Sequence, residues 1–405
     1  GTTAQSTTLG QGNDELTVSG AGTAIQTVIA TGGNNTITTV AGADEITLGT
    51  GADNITAGAG NDTVSTLTGR LTSLDRINFG THTGTGDTLA LTDDATVLDS
   101  DFTLITGLEI LTSDDGTNGQ ELVVTLGTLA AASGLTTVKF TGDEANDDDS
   151  LIIGSDFTND ITVDLDIDTN DGNTINAAAY TKVLTVTAAD TDLENGSVST
   201  AVDANITGGV GTSDVLKITG SGQALEAADM ALITAIETFE TVGANAIDLI
   251  LHDANAAATK TLTVNTDSIT GATAVTVNGA AETDGVLNIT SKSTGTINIT
   301  LGAGDDEYTG TGAAATTVTG TGGANTITTA GGVDNITGGT GVDTVNAGGG
   351  NDIITGGNAA DQLTGGAGSD TFKYTAVAQS SGANIDSVLD FVAADDKFAV
   401  TLDYS

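Results

Sequence analysis

The sequence predicts an all-β chain, an elongated parallel β-solenoid with few and short helices. Three observations predict it. Apolar residues make up 38% of the chain but aromatics only 3%, and the apolar set is Val, Ile, Leu and Ala mixed with many Thr; β-branched residues favour strands. Glycine is abundant, at 56 residues, and proline is absent. An aspartate recurs every ninth residue at Asp343, Asp352, Asp361 and Asp370, a period that matches neither a helix nor a simple sheet.

Composition narrows the function before any motif is read. A chain of 405 residues ordinarily makes two or three domains. The formal net charge is −45, from 54 acidic and 9 basic residues. Nucleic acid is excluded as an ordinary partner, because phosphate binding needs Lys and Arg, and an anionic membrane surface is disfavoured. So much like charge swells a compact fold unless cations neutralise it. Solubility or salt adaptation alone does not explain why the acids are periodic. No Cys is present, so there are no disulfides, and bound metal is the natural staple in their place. No run reaches the length of a membrane span. The opening GTTAQSTTLG has no charged segment leading into an apolar one. That implies either a processed or truncated piece, or export without an amino-terminal signal.

Taken in order, residues 1–80 read as an amino-terminal nonapeptide β-roll region. Asn35, Asp44, Asp53 and Asp62 each stand two residues before Ile37, Ile46, Ile55 and Val64, and LGQGNDELT carries a single earlier copy with Asp14. Residues 81–205 and 206–295 read as two β-rich modules. Their strands are ELVVTL, TTVKFTG, DITVDLDID, KVLTVTA, DLILHDA, TLTVNT, TAVTVNG and TINITL, punctuated by Gly, Asn and Asp. The second module duplicates the start of the first: DFTLIT from Asp101 answers DMALIT from Asp229. LEAADMALITAIE, residues 225–237, is the best helix candidate and is expected to be short. Residues 296–372 form the second array. There Asn325, Asp334, Asp343, Asp352, Asp361 and Asp370 precede Ile327, Ile336, Val345, Ile354, Leu363 and Phe372, after a single copy LGAGDDEYT with Asp306. Residues 373–405 read as a carboxy-terminal cap. With no Pro-rich or Ser-rich linker between them, the parts are expected to form one continuous elongated stack.

The unit is G-G-x-G-x-D-x-U-x, with U a large apolar residue. Six residues make a tight turn in which Gly supplies positive φ or a crowded backbone position. Three more make a short strand whose U side chain points inward. Two units complete a coil, so residues eighteen apart stack on one edge. Stacked turns bring Asp carboxylates and backbone carbonyls together, and Ca²⁺ wants six to eight such oxygens at about 2.3–2.6 Å. Several calcium ions are therefore expected, held by Asp14, Asn35, Asp44, Asp53, Asp62, Asp306, Asp334, Asp343, Asp352, Asp361 and Asp370. The turn glycines Gly42, Gly51, Gly60, Gly339, Gly341, Gly350, Gly357, Gly366 and Gly368 belong to the same sites. Asp334, Asp352 and Asp370 should share one edge and Asp343 and Asp361 the other; Asp44 should pair with Asp62 and Asn35 with Asp53. Ala359 replaces the third glycine, and Asn35 and Asn325 replace aspartate, which predicts weaker or empty sites there. Plain β-turns would explain one such copy but not five aspartates in register.

On these residues the chain resembles the RTX family of calcium-binding proteins exported by bacterial type I secretion. GSDTFKYTAVAQSSGANIDSVLDFVAADDKFAV is similar to the cap that follows the last repeat in such proteins, and the β-rich modules look like those of RTX-type surface-layer proteins. The resemblance implies an uncleaved carboxy-terminal secretion signal and an extracellular or cell-surface location. It implies a structural protein that folds on calcium outside the cell and self-assembles into a surface layer, sheath or filament. Its partners would be calcium, other copies of the chain and cell-surface polysaccharide, with no nucleic acid and no membrane insertion. The alternatives are an adhesin or biofilm-matrix protein, and the non-catalytic stalk of a larger secreted protein.

Other candidates are weaker. VDLDID sets Val163, Leu165 and Ile167 against Asp164, Asp166 and Asp168. The acidic stretches from Asp164 to Asp171 and from Asp143 to Asp149 read as solvated, with calcium as the alternative and, for the second, a subunit contact. An EF-hand is rejected, since Gly172 falls one place late and Ala177 stands where the bidentate Glu belongs. Asp93, Asp94, Asp114 and Asp115 read as turn residues. His82 and His252 are the only histidines, and neither lies in H-E-x-x-H. No G-x-S-x-G elbow is present. No enzymatic activity is expected.

Overall fold

The computed structural model describes residues 4–20, 22–82, 84–93, 96–113, 122–141, 149–165, 173–193, 204–220, 222, 224–243 and 245–401. They are nearly all β, paired throughout in parallel. Contacts divide the chain into two units, Gly1–Ala188 with Asn195–Thr212, and Ala189–Glu194 with Ser213–Ser405.

In the first unit one row of parallel strands runs from Gln5–Leu9 through Gln26–Ala30, Glu45–Thr47, Thr63–Thr66, Thr88–Leu91, Ile110–Ser113 and Thr137–Phe140 to Ile161–Asp164 and Leu184–Ala189. The chain alternates between that row and shorter ones. Glu15–Thr17, Thr36–Thr38, Asn54–Thr56, Arg76–Asn78 and Ile105–Thr106 pair in turn. Thr96–Val97, Val123–Leu126, Ser150–Ile153, Thr174–Asn176 and Asn205–Thr207 follow. Each return to a row completes a coil. Between Gln26 and Thr66 the register is eighteen residues, as in Ile46↔Val64 and Ile37↔Ile55. In the β-rich module it widens to twenty-two or more, as in Leu89↔Leu111 and Leu111↔Val138. The module is thus built by the same parallel stacking, with longer loops.

Most of the described strands of the second unit lie in two rows. Val215–Thr219, Thr238–Thr241, Thr261–Thr266, Val286–Ser291, Glu307–Gly310, Thr326–Thr328, Thr344–Asn346, Gln362–Thr364 and Ser387–Val388 form one. Ala224–Leu225, Ile247–Ile250, Val275–Asn278, Ile297–Thr300, Thr316–Thr319, Asn335–Gly339, Ile353–Gly357, Thr371–Tyr374 and Lys397–Val400 form the other. The inward side chains stack in files: Ile336 on Ile354 on Phe372, and Ile327 on Val345 on Leu363, all essentially buried. Alternation along each strand puts these on the core side, with Thr and Asn between them facing out. The segment read as a cap adds a further coil to both rows, and Phe398 packs 5.9 Å from Phe372, centroid to centroid.

Helix in residues 225–237 is confined to Ala227–Met230, because Leu225 and Ile233 are each taken into a strand, Ala224–Leu225 and Ile233–Thr234. The longer helix Thr128–Ser133 was not foreseen; Asp99 caps it, accepting the Gly127, Leu129 and Ala130 amides. In the nonapeptide turns, strands on one edge also run on into the glycines, as in Asn335–Gly339 and Ile353–Gly357, and are not three residues long. Asp101 accepts the Leu98 amide and Asp229 the Glu226 amide, each closing a short helical turn.

Candidate metal centre

The periodic aspartates are not on the surface. Asp44, Asp343 and Asp352 are 0% exposed, and Asp53, Asp62, Asp306, Asp334, Asp361 and Asp370 are buried as well; Asp14 is half-buried. One oxygen of each stacked carboxylate has a fixed task. The Asp334 amide donates to Asp352 Oδ1 at 2.8 Å, and the Asp352 amide to Asp370 Oδ1 at 2.9 Å. The Asp343 amide donates to Asp361 Oδ1 at 2.9 Å. In the first unit the Asp44 amide reaches Asp62 Oδ1, and the Asn35 amide Asp53 Oδ1, both at 2.8 Å. Each rung is thus a carboxylate capping the amide one coil earlier.

The second oxygen has nothing. Oδ2 of Asp14, Asp44, Asp53, Asp62, Asp306, Asp334, Asp343, Asp352, Asp361 and Asp370 is buried without a hydrogen-bond partner. A bare buried carboxylate oxygen is costly, and burial raises the pKa values of these groups accordingly. Asp343 and Asp62 are pushed up to about 7, and Asp352 and Asp361 to about 6. Desolvation leads in each case; the capping amide opposes it, and the next carboxylate on the ladder adds to it.

The space in front of these oxygens is kept open by glycine. A Cβ at Gly338 would lie 2.4 Å from Asp343 Oδ2 and 2.5 Å from the Gly356 carbonyl. At Gly356 it would lie 2.3 Å from Asp361 Oδ2, and at Gly365 2.4 Å from Asp370 Oδ2. Carboxylate and carbonyl oxygens converging on a gap that only glycine leaves free suit a hard cation, so the residues present fit Ca²⁺. The other turn glycines answer to backbone crowding. A Cβ at Gly42, Gly51, Gly60, Gly341, Gly350, Gly357, Gly366 or Gly368 would meet a carbonyl of the preceding coil within 3.0 Å, and one at Gly339 would come within 3.1 Å. Gly350 and Gly368 also hold φ of 148° and 144°. Ala359, in place of the third glycine, carries φ of 99°, a strained value for an L residue.

Asn35 and Asn325 behave differently from the aspartates. Asn325 Nδ2 donates to the Gly322 carbonyl at 2.9 Å and the Gly338 carbonyl at 3.0 Å. Asn35 Nδ2 donates to Asp53 Oδ1, Gly33 and Gly32. In both turns an amide group supplies the positive end that the neighbouring oxygens need.

Sequence reading missed much of the ladder. Asp75 caps Asp53, Asp87 caps Asp62, Asp386 caps Asp361 and Asp396 caps Asp370. Glu109, Asp149 and Glu237 cap Asp87, Leu122 and Asp214. The signal was present: every one stands two residues before an apolar strand residue, as in Asp87-Thr88-Leu89 and Asp386-Ser387-Val388. Only the coil length departs from eighteen. Asp253, Glu282 and Asp284 also bring carboxylate oxygens within 4.8 Å of one another, with Glu282 buried and its Oε2 unpartnered.

Of the weaker candidates, Val163 and Leu165 are buried as expected, and Asp164 faces out, 3.4 Å from Lys139 Nζ. Asp143, Asp166, Asp168, Asp171, Asp94, Asp114 and Asp115 lie outside the described residues. His252 Nδ1 accepts the Ala254 amide just beyond the strand Ile247–Ile250.

Residues 29–64, 310–345 and 337–372 match the family model for the RTX calcium-binding nonapeptide repeat, which is four copies long. No curated protein and no solved structure matches the chain.

Proposed function

We propose that this chain, an RTX calcium-binding protein by its repeats, is a secreted structural protein that folds on calcium outside the cell and assembles with copies of itself. RTX repeats bind Ca²⁺, and proteins that carry them are typically exported by type I secretion. Among the described residues no helix is long and apolar enough to cross a membrane. The observation that carries the reading is the file of buried Oδ2 atoms without partners. We assign calcium ligation to Asp44, Asp53, Asp62, Asp306, Asp334, Asp343, Asp352, Asp361 and Asp370, with Asp14 on an outer rung and the carbonyls of the glycine turns completing the sites. When bound, calcium supplies the positive charge that lets carboxylates stack and joins one coil to the next, so that binding free energy becomes folding free energy. Asn35 and Asn325 mark turns that need no ion.

A surface layer, sheath or filament fits the stacked parallel rows better than a catalytic role, since RTX solenoids are typically structural. Electron microscopy of the purified protein before and after calcium addition tests the proposal. Ordered sheets or filaments that appear with calcium support it; monodisperse monomers at every calcium level overturn it in favour of an adhesin or stalk.

A further inference from the structure

We propose that His82, Asp87 and Glu109 form a binding site for one transition-metal dication of the zinc or cobalt class, separate from the calcium rungs. The site sits at the end of a carboxylate ladder in the first unit. Amides of Gln26, Asp44 and Asp62 donate in turn to Asp44, Asp62 and Asp87, and the Asp87 amide donates to Glu109 Oε2 at 2.8 Å. Two things change at this end. The final acid is a glutamate, one methylene longer than the aspartates before it. The turn is also wider: Ala59 pairs with Thr81, twenty-two residues on, whereas the Asp62 amide meets Asp87, twenty-five residues on. His82 lies in this wider turn, next to Thr81.

The three side chains converge. Each offers one ligand atom, and these atoms lie within 4.8 Å of one another. His82 Nδ1 is 3.1 Å from Glu109 Oε1. Ligands at about 2.0–2.1 Å from a tetrahedral zinc are spaced at roughly 3.3 Å, so this pair already has the separation of one edge. Asp87 is 0% exposed, its Oδ1 is occupied by the Asp62 amide, and its Oδ2 has no partner. A His–Glu ion pair alone would leave that oxygen bare.

Ligand type sets the metal. Calcium takes six to eight oxygens, and a nitrogen donor is foreign to it. Imidazole with two carboxylates suits zinc, cobalt or nickel. Three protein ligands leave a fourth position, reachable from solvent because the His82 side chain is 37% exposed, for water or for an outside ligand.

The full chain, folded in saturating calcium, is titrated with Co²⁺ and followed by visible absorption. The inference expects one equivalent of Co²⁺ with d–d bands in the tetrahedral or five-coordinate range, displaced by one equivalent of Zn²⁺. The bands should be lost in His82→Ala and kept in His252→Ala. His82 is exposed and on a turn, so His82→Ala should keep the wild-type circular dichroism; Glu109→Gln, which retains an acceptor for the Asp87 amide, should also lose the bands. No Co²⁺ spectrum in calcium-saturated wild type, or a spectrum unchanged by His82→Ala, overturns the inference. Because calcium is saturating throughout, either result leaves the calcium rungs untouched.

Discussion

Replacing Asn325 by Asp tests whether the amide in that turn stands where a cation stands in its neighbours. In the structure Asn325 Nδ2 donates to the Gly322 and Gly338 carbonyls at 2.9 and 3.0 Å, while its own amide donates to Asp343 Oδ1 at 2.8 Å. The substitution removes both donors and leaves a buried carbonyl, that of Gly338, and a half-buried one, that of Gly322, without them. Each such loss is worth about 1 to 1.5 kcal/mol, so the cost is about 2 to 3 kcal/mol before the added charge is counted. That charge sits on the same ladder as Asp343, which burial and Asp361 already push up to about 7. At limiting calcium the variant should therefore unfold at lower denaturant than wild type. At saturating calcium the new carboxylate and the two carbonyls form a site, so stability should return to wild type or above and one more calcium should bind. Urea denaturation at two calcium levels, with stoichiometry from equilibrium dialysis, measures all three quantities. An unchanged stoichiometry, with the same loss of stability at both calcium levels, would refute the reasoning.

Other outcomes follow from the same geometry. Gly350→Ala should cost more than about 3 kcal/mol at saturating calcium, since its Cβ would fall 1.4 Å from the Gly332 carbonyl at φ 148°; a neutral urea midpoint would count against this. Ala359→Gly should instead stabilise by about 1 kcal/mol, because Ala359 holds φ 99°, and thermal unfolding in calcium reads it. Phe372→Ala should destabilise by about 3–5 kcal/mol, as Phe372 is fully buried between Ile354 and Phe398. Acid should weaken calcium binding. Burial raises Asp62 and Asp343 to about 7 and Asp352 and Asp361 to about 6, from 3.8. Between 3.8 and about 7 the metal-free fold therefore holds protons that the unfolded chain has released. Stability of that form falls as pH rises through this window, and protons compete with calcium as pH drops through it. Calcium titrations at pH 7.5 and 5.5 that give equal affinity would contradict this.

The nonapeptide arrays were legible because their coil length is constant from Asn35 to Asp62 and from Asn325 to Asp370. With eighteen residues per turn, Asp352 falls beside Asp334 and Asp370 by counting alone, and the matched file of Ile336, Ile354 and Phe372 fixes which face is inside. The β-rich modules and the cap segment keep the same rung but vary the loop, so Asp87, Glu109, Asp149 and Asp386 drop out of any fixed period. What persists is local: an acid, one outward residue, then a buried apolar one. The His82, Asp87 and Glu109 grouping was harder still. It pairs a turn widened by three residues with a glutamate one coil later, and neither feature leaves a motif. The helix at Thr128–Ser133 escaped for a related reason. Its capping group, Asp99, lies a coil away and not in the residues that precede it.

The central claim is that calcium on the buried carboxylate ladder makes the arrays fold. Far-ultraviolet circular dichroism of the full chain, stripped with a chelator and then titrated with calcium, tests it most directly. The account predicts that the β signal of the arrays is lost on chelation and returns cooperatively as calcium is added. Chelated protein that keeps its full β signal would contradict it.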